Sequence, residues 1–470
     1  AWLAQEGYST TSINGLLSPA NSTAQKAQDW LGLSTTLNLL LEGGKVALVT
    51  RERPNADKVI DAGGKIVCPG FVDMHMHEDP VEPEGKIYAD EEKAIFNCML
   101  RMGVTTAIGG NCGQNCCDPA DYLDLADRQG LAVNVGMLAG HEYFRKKAGA
   151  MDKYGPTDEK QRKTMAGDIA AALERGCLGV SYGIRYIPGI DMEELKATAA
   201  PCAGKNKIIA AHLRSDAEEV FTAAREFMDA GRALDLPVQI SHIGSMAGFG
   251  QMARFLAMAD EYRMNGLDLG CDCYPYSAFS TALGSTTYDE GWLDRYHCGY
   301  EVVELCEGDD KGKRCTEEIF RKVRRENPEC ITVCHVMKDA DIELALRHPN
   351  VALASDGIMN HGQGHPRAAG SFPRLFAEYV RRGRLSLYEA VSKMTAMPAK
   401  RMGLESKGRL NAGADADVVI FDANKIADRA VFPSPLLSPA GIDYVLIGGE
   451  LAARDCRIVR KDLGRSVRRF

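Results

Sequence analysis

Histidine, cysteine and aspartate recur at the ends of apolar runs in this chain, and their placement suggests metal chemistry. The stretch GFVDMHMHEDP carries His75 and His77 one residue apart, directly after an apolar run. Alternate residues of an extended strand share one face, so the two imidazoles point the same way. Cys112 follows GVTTAIGGN, His212 closes KIIAAH, His242 closes PVQISH, and Asp356 follows VALAS. Neutral imidazole, thiolate and carboxylate are the groups that bind zinc. Taken singly, each residue has a plainer reading. A histidine at a strand end is often a satisfied core residue, Cys112 a small apolar filler, and Asp356 in SDG a turn former. The joint placement of four histidines, one cysteine and one aspartate at the ends of different runs is the pattern of a metal site. His141, His297, His335, His348, His361 and His365 stand outside it.

Those six side chains meet only if the runs that carry them converge. Eight apolar strand candidates, from IVCPGFVDMHMH to VALASDGI, alternate with segments such as EKQRKTMAGDIAAALERG, whose apolar residues fall at helical spacing. Eight strands alternating with helices predict an α/β fold, a parallel (β/α)8 TIM barrel, with all strand C-termini at one mouth. Short β-like runs flank it: LNLLLEGG and KVALVT before, GADADVVIFD, DYVLIGGELA and CRIVR after. They predict a small β-domain built from residues 1–68 and 406–470 around a barrel over 69–405. Residues 273–349, between the seventh and eighth candidates, are too many for a plain crossover, so an insertion is expected at about 285–345. It carries Trp292 and His297 and reads as a lid over the mouth. Residues 1–35, rich in Ser, Thr, Ala and Gln, read as a peripheral arm.

Bulk properties narrow the function classes. A chain of 470 residues with 45% hydrophobic content has room for one large domain and a smaller one. Net charge is −8 and the pI about 5.8, and the sole basic cluster is SVRRF, which argues against a nucleic-acid partner. No apolar run approaches the ~18 residues of a membrane helix, and no leader-like opening is seen. Fifteen cysteines without zinc-ribbon spacing read as reduced thiols, hence a cytoplasmic protein.

At these residues the sequence resembles the amidohydrolase superfamily, and within it the D-aminoacylase (N-acyl-D-amino-acid deacylase) branch. The superfamily motif is HxH on the first strand, one histidine on each of the fifth and sixth, and an aspartate on the eighth. The branch marks are GNCG around Cys112, NVGMLAGHEYFR, GVSYGIRYIPG, AHLR, ISH, DCYPYSAFST, SDG and HPRAAGSFPR, and the resemblance spans about residues 55–470. GVSYGIRY lacks the metal-bridging lysine that many superfamily members place on strand four, and in this branch a strand-two cysteine stands in for it. The resemblance implies that Cys112, His212 and His242 hold one zinc tightly, with His75, His77 and Asp356 at a second, weaker position. It implies Asp356 as proton carrier and Tyr186, or else Tyr182, beside the oxyanion. Substrate contacts would be Tyr274, Ser280, Arg367 and Met337. One position departs from the branch: its lysine two residues after the strand-six histidine is Gly244 here.

The implied activity is zinc-dependent hydrolysis of the linear amide of an N-acyl-D-amino acid, a small-molecule substrate, by a protein that can be a homo-oligomer. An alternative is a cyclic-amide hydrolase of hydantoinase or dihydropyrimidinase type, which needs no carboxylate clamp and is favoured by Gly244. A non-catalytic binding barrel is a third reading, opposed by the complete ligand set.

Overall fold

The computed structural model describes residues 37–360 and 362–470 and the backbone of the strand Thr11–Leu17. Most of the expected arm (1–10 and 18–36) and His361 lie outside the described residues. The barrel strands are Phe71–Asp73, Val104–Gly109, Asn134–Met137, Gly179–Gly183, Ile208–His212, Val238–Ile240, Leu269–Cys273 and Val351–Leu353. They pair in parallel and are buried almost throughout, as strands covered on both faces must be. Helices cover the outside with one apolar stripe each. In Val220–Ala233 the buried residues Val220, Ala223, Ala224, Phe227 and Met228 trace that stripe.

Two seams close the ring. Between the third and fourth strands, Ala139 and Gly140 pair with Val180 and Ser181. Between the eighth and first, Met76 bridges Gly357, the His77 amide donates to the Gly357 carbonyl (2.8 Å), and the Asp356 amide donates to the His75 carbonyl (2.8 Å). The ligand-bearing ends of two strands are thus bonded directly to each other.

The first apolar run divides at Gly70. Lys58–Pro69 belongs to the small sheet and Phe71–Asp73 to the barrel. A Cβ at Gly70 would lie 2.1 Å from Thr105 Oγ1, so glycine lets the two pieces join without a loop. The small sheet has eight strands and draws on both ends of the described chain. Its order places Val418–Phe421 against Lys58–Pro69 on one side and Thr11–Leu17 on the other. Thr11–Leu17 is therefore an inner strand of this sheet, which corrects the reading of that stretch as a peripheral arm. Its polar residues gave little alternation; pairing on both sides fixes it.

Between the seventh and eighth barrel strands, Phe279–Ala282, Val303–Leu305 and Ile331–Cys334 form an antiparallel sheet with the helices Trp292–Tyr296 and Glu317–Glu326 around it. This sheet begins ahead of the expected position 285. The helix Asp339–Arg347 packs on the helix Met252–Met264 and on strand Val351–Leu353, so it covers the barrel. At the barrel's opposite end, residues 464–469 run across the strand starts. Gly464 and Leu131 exchange backbone hydrogen bonds, Val467 N donates to the Val135 carbonyl, and the buried Lys207 amine donates to the carbonyls of Leu173, Cys177 and Arg469. No helix among the described residues is long and apolar enough to cross a membrane.

Candidate metal centre and active site

The six expected ligands converge at the barrel mouth in two overlapping groups. Cys112, His212 and His242 form one; His75, His77, Cys112 and Asp356 form the other; within each, the donor atoms lie no more than 4.8 Å apart. Cys112 Sγ is common to both, 3.5 Å from His75 Nε2 and 3.4 Å from His242 Nε2. Asp356 Oδ1 lies 3.4 Å from His75 Nε2 and 3.3 Å from His77 Nε2. A buried thiolate amid imidazoles and a carboxylate matches zinc in donor type and number. The buried Nδ1 of His212 has no partner.

Three of these ligands sit on left-handed backbone: Cys112 (φ 53°), His242 (φ 33°) and Asp356 (φ 48°). Such conformations cost about 1–3 kcal/mol each, so the surroundings must impose them. Around Cys112, Asn111 Nδ2 donates to the Ile108 carbonyl (2.8 Å), Ser181 Oγ donates to the Gly110 carbonyl and accepts from Gly113 N (3.1 Å), and Gly110 N donates to Glu78 Oε2 (2.7 Å). His242 is fixed through Asp272, whose Oδ1 accepts from its amide at 2.7 Å and lies 3.4 Å from His75 Nδ1. Gln239 Nε2 occupies the other Asp272 oxygen at 2.7 Å, and Ser245 Oγ lies 3.0 Å from His242 Nδ1. Asp73 Oδ1 accepts from the amides of His75 and Ser355. Asp272, Asp73 and Ser181 escaped sequence reasoning, although Asp272 opens DCYPY. An aspartate closing a buried strand was the available signal.

The electrostatics follow from this crowding. Burial alone would push the Cys112 thiol up, but the charges of His75 and His242 outweigh it and hold it well below the usual thiol range. Burial opposes the charged form of His77 too, yet Asp356 and Cys112 bring it to about 9. His212, buried and facing His242, is pushed down to about 4. For Asp356, burial is overcome by Arg367 and the neighbouring histidines, which hold the carboxyl well below its ordinary value. Arg367 Nη1 lies 2.9 Å from Asp356 Oδ2.

A cavity of about 440 Å³ opens over the cluster and is lined by His77, His212, His242, Asp356, Tyr186, Ser280 and Arg367, among others. The Tyr186 ring is 4.7 Å from that of His212. Tyr182, its sequence rival, is fully buried, 3.0 Å from the Thr198 hydroxyl and outside the cavity lining. Tyr274 and Met337 are not among the residues that line the cavity. Tyr274 lies under the Arg367 guanidinium, 4.7 Å from ring centroid to Cζ, with its hydroxyl 3.9 Å from Met337 Sδ. They pack as a support for Arg367. A Cβ at Gly244 would meet Ile342 Cδ1 at 2.8 Å, Cys273 Sγ at 3.1 Å and Met337 Cε at 3.2 Å, so a side chain there requires those neighbours to shift.

Comparison with known proteins agrees with this geometry. The family model described as "Amidohydrolase family" matches residues 88–453. The chain is similar to N-acyl-D-glutamate deacylase of Alcaligenes xylosoxydans xylosoxydans, at 32% identity over 87% of this chain and 89% of that protein. Among solved structures it is similar to N-acyl-D-glutamate deacylase from Bordetella bronchiseptica, complexed with zinc and a phosphonate mimic of the reaction's tetrahedral intermediate. That structure has 27% identity and a TM-score of 0.84, over 97% of this chain and 99% of that one. A D-aminoacylase crystal structure has 25% identity and a TM-score of 0.85, over 98% and 99%. By sequence, fold and the convergence of His75, His77, Cys112, His212, His242 and Asp356, the chain belongs to the amidohydrolase family.

Proposed function

We propose that the protein is a zinc-dependent deacylase that hydrolyses the linear amide of N-acyl-D-amino acids to a carboxylate and a free amine. The observation that carries this reading is the shared Cys112 thiolate. It joins His212 and His242 to His75, His77 and Asp356 at the floor of a cavity that also holds Arg367. Cys112, His212 and His242 would hold the tighter ion, and His75, His77 and Asp356 a second, weaker one. When bound, zinc lowers the pKa of a coordinated water and polarises a carbonyl. Asp356, ionised because Arg367 and the histidines favour its charged form, takes the proton of the attacking water. It returns that proton to the amide nitrogen as the C–N bond breaks, because an amine leaves and an amide anion does not. Tyr186 stays protonated, since burial and the Cys112 charge raise its pKa, so its hydroxyl can donate to the developing oxyanion.

A linear substrate with a free carboxylate is favoured over a cyclic amide by atoms left without partners. Arg367 Nε and Ser280 Oγ are buried at the cavity with no hydrogen bond. Together they offer a donor pair to a substrate carboxylate, without the lysine that the branch places where Gly244 stands here. All fifteen cysteines are unpaired, which suits a reducing compartment such as the cytoplasm.

The test is metal analysis of the purified protein together with a panel of N-acetyl-D- and L-amino acids and hydantoins. Stoichiometric zinc with D-selective release of amine is the expected result. Zinc with ring opening of hydantoins and no action on acylated amino acids would overturn the proposal.

A further inference from the structure

The proposed reaction settles which end of the substrate meets which wall of the cavity. A trans amide holds its acyl chain and its Cα on opposite sides of the C–N bond. Ser280 follows the seventh barrel strand and Arg367 the eighth, so the carboxylate on Cα belongs at that side of the mouth. In a ring of eight strands the third stands opposite the seventh. With the carbonyl over the metal ligands, the acyl chain runs toward the segment between the third and fourth strands. That segment lines the cavity through Glu142, Arg145, Lys146, Met151 and Lys153.

Three of the four charges on this wall are spent. Lys146 pairs with Glu142 at 2.6 Å. The buried Arg145 gives Nε to Glu194 at 2.9 Å, Nη1 to the carbonyls of Ala150 (3.0 Å) and Asp152 (2.7 Å), and Nη2 to that of Gly155 (2.6 Å). Lys153 is left over. It is half-buried, and its amine lies 5.1 Å from the Tyr154 ring centroid. No carboxylate among the described residues pairs with it. The backbone that carries it is fixed. Arg145 ties down the carbonyls on either side, and the Lys153 carbonyl itself accepts from Gly189 N at 2.8 Å. The Tyr154 hydroxyl donates to Asp289 Oδ2 of the insertion at 2.9 Å. Only the lysine side chain needs ordering when an anion docks on it, which keeps the entropic cost low.

The cavity thus has a cation at each end, Arg367 beside the metal ligands and Lys153 on the far wall. Chemistry then selects among acyl groups. A plain alkanoyl chain offers the Lys153 amine nothing. An amino-substituted chain would meet it as a like charge. A carboxylate ending a short chain supplies the missing partner. Glu329 lines the cavity from the insertion and favours the opposite charge, but it is exposed, where water and salt screen it.

We propose that Lys153 forms the acyl-end subsite and selects N-acyl-D-amino acids whose acyl group carries a terminal carboxylate, of the succinyl type. This rests on the deacylase reading above.

The experiment measures kcat/KM of the zinc-loaded protein and of Lys153→Met on N-acylated D-alanines. The acyl groups are succinyl, 4-methylpentanoyl, 3-aminopropanoyl and acetyl. The 4-methylpentanoyl chain copies the shape of succinyl without its charge, and 3-aminopropanoyl reverses the charge. The wild type should prefer succinyl to 4-methylpentanoyl by about fivefold, the worth of an ion pair that water partly screens. In Lys153→Met, which keeps most of the side chain and removes the charge, that ratio should fall toward unity. Zinc content and thermal midpoint establish that the variant is folded. If it is not, salt decides in the wild type, whose ratio should fall as NaCl rises from about 0.05 to about 0.5 M. Equal rates on succinyl and 4-methylpentanoyl substrates overturn the subsite, as does a preference for 3-aminopropanoyl. A succinyl preference that survives Lys153→Met, or is indifferent to salt, overturns it too. No turnover of any of these D-substrates overturns the deacylase reading itself, a separate outcome.

Discussion

At the scale of single residues, Cys112 and Asp356 have separable duties. Cys112 belongs to both ligand groups, whereas Asp356 belongs only to the group with His75 and His77 and is the proposed proton carrier. Asp356→Asn should therefore retain most zinc while kcat falls by about 10²–10⁴-fold, the usual worth of a positioned acid–base group. Cys112→Ala should lose zinc outright, as read by elemental analysis. Full activity in the first variant, or full zinc in the second, would refute the assigned role. The residue types and their places at run ends make this cluster legible in the amino-acid sequence itself. Arg367, Ser280 and Tyr186 are legible there only through the family resemblance. Asp272 is not, because its partners, the His242 amide and His75, come from other strands.

Among the elements, the ligands depend on how closely neighbouring strand ends approach. Gly183 ends the fourth strand beside the Cys112 turn, and a Cβ on it would lie 2.2 Å from the Cys112 carbonyl oxygen and 2.8 Å from Tyr186 Cδ2. Gly183→Ala should push the Cys112 turn off its left-handed geometry and lower both zinc content and stability, the latter by about 1–3 kcal/mol as overpacking does. Unchanged zinc and an unchanged unfolding midpoint would show that the turn can shift freely. The alternation of strand and helix was plain in the sequence, but the strand borders were not. The run through Gly70 reads as one strand because apolar character continues across two different sheets. Tyr274 likewise reads as a substrate contact in YPY, and only packing puts it beneath Arg367.

For the molecule as a whole, the junction between barrel and small sheet rests on a buried charge cluster. Lys407 lies 2.6 Å from Asp417 and 3.0 Å from Asp415, and Asp417 also accepts from Asn134 Nδ2 of the third barrel strand at 3.0 Å. Lys407→Met takes the cation from Asp417 and leaves Asp415 with Lys45 alone, and should cost about 3 kcal/mol in urea unfolding, the low end for breaking a buried pair. Burial opposes the charged form of Asp415, but Lys407 and Lys45 outweigh it and lower its pKa. Its contribution is therefore full above the ordinary carboxylate value of about 3.9 and is lost as pH falls through the depressed one. For Lys407 burial is likewise outweighed, by Asp417 and Asp415, and the pKa is raised, so its contribution is full below about 10.4 and is lost as pH rises through the raised value. The difference between wild type and Lys407→Met should stay level from about pH 5 to 9 and shrink at the acid end. A difference that persists at pH 2 would mean the lysine acts through packing alone.

The strap of residues 464–469 across the strand starts bears on the order in which the protein is made. When Asp356 has been joined to the growing chain every proposed zinc ligand has been synthesised, yet Lys207 still lacks the Arg469 carbonyl and Leu131 and Val135 lack their partners in residues 464–467. The ligand set is thus complete in the nascent chain before the floor beneath it is sealed. Synthesis runs at about 5–20 residues per second, so the interval is one of seconds. During it, a metal ion can meet the ligands before the closed molecule exists to hold them in place.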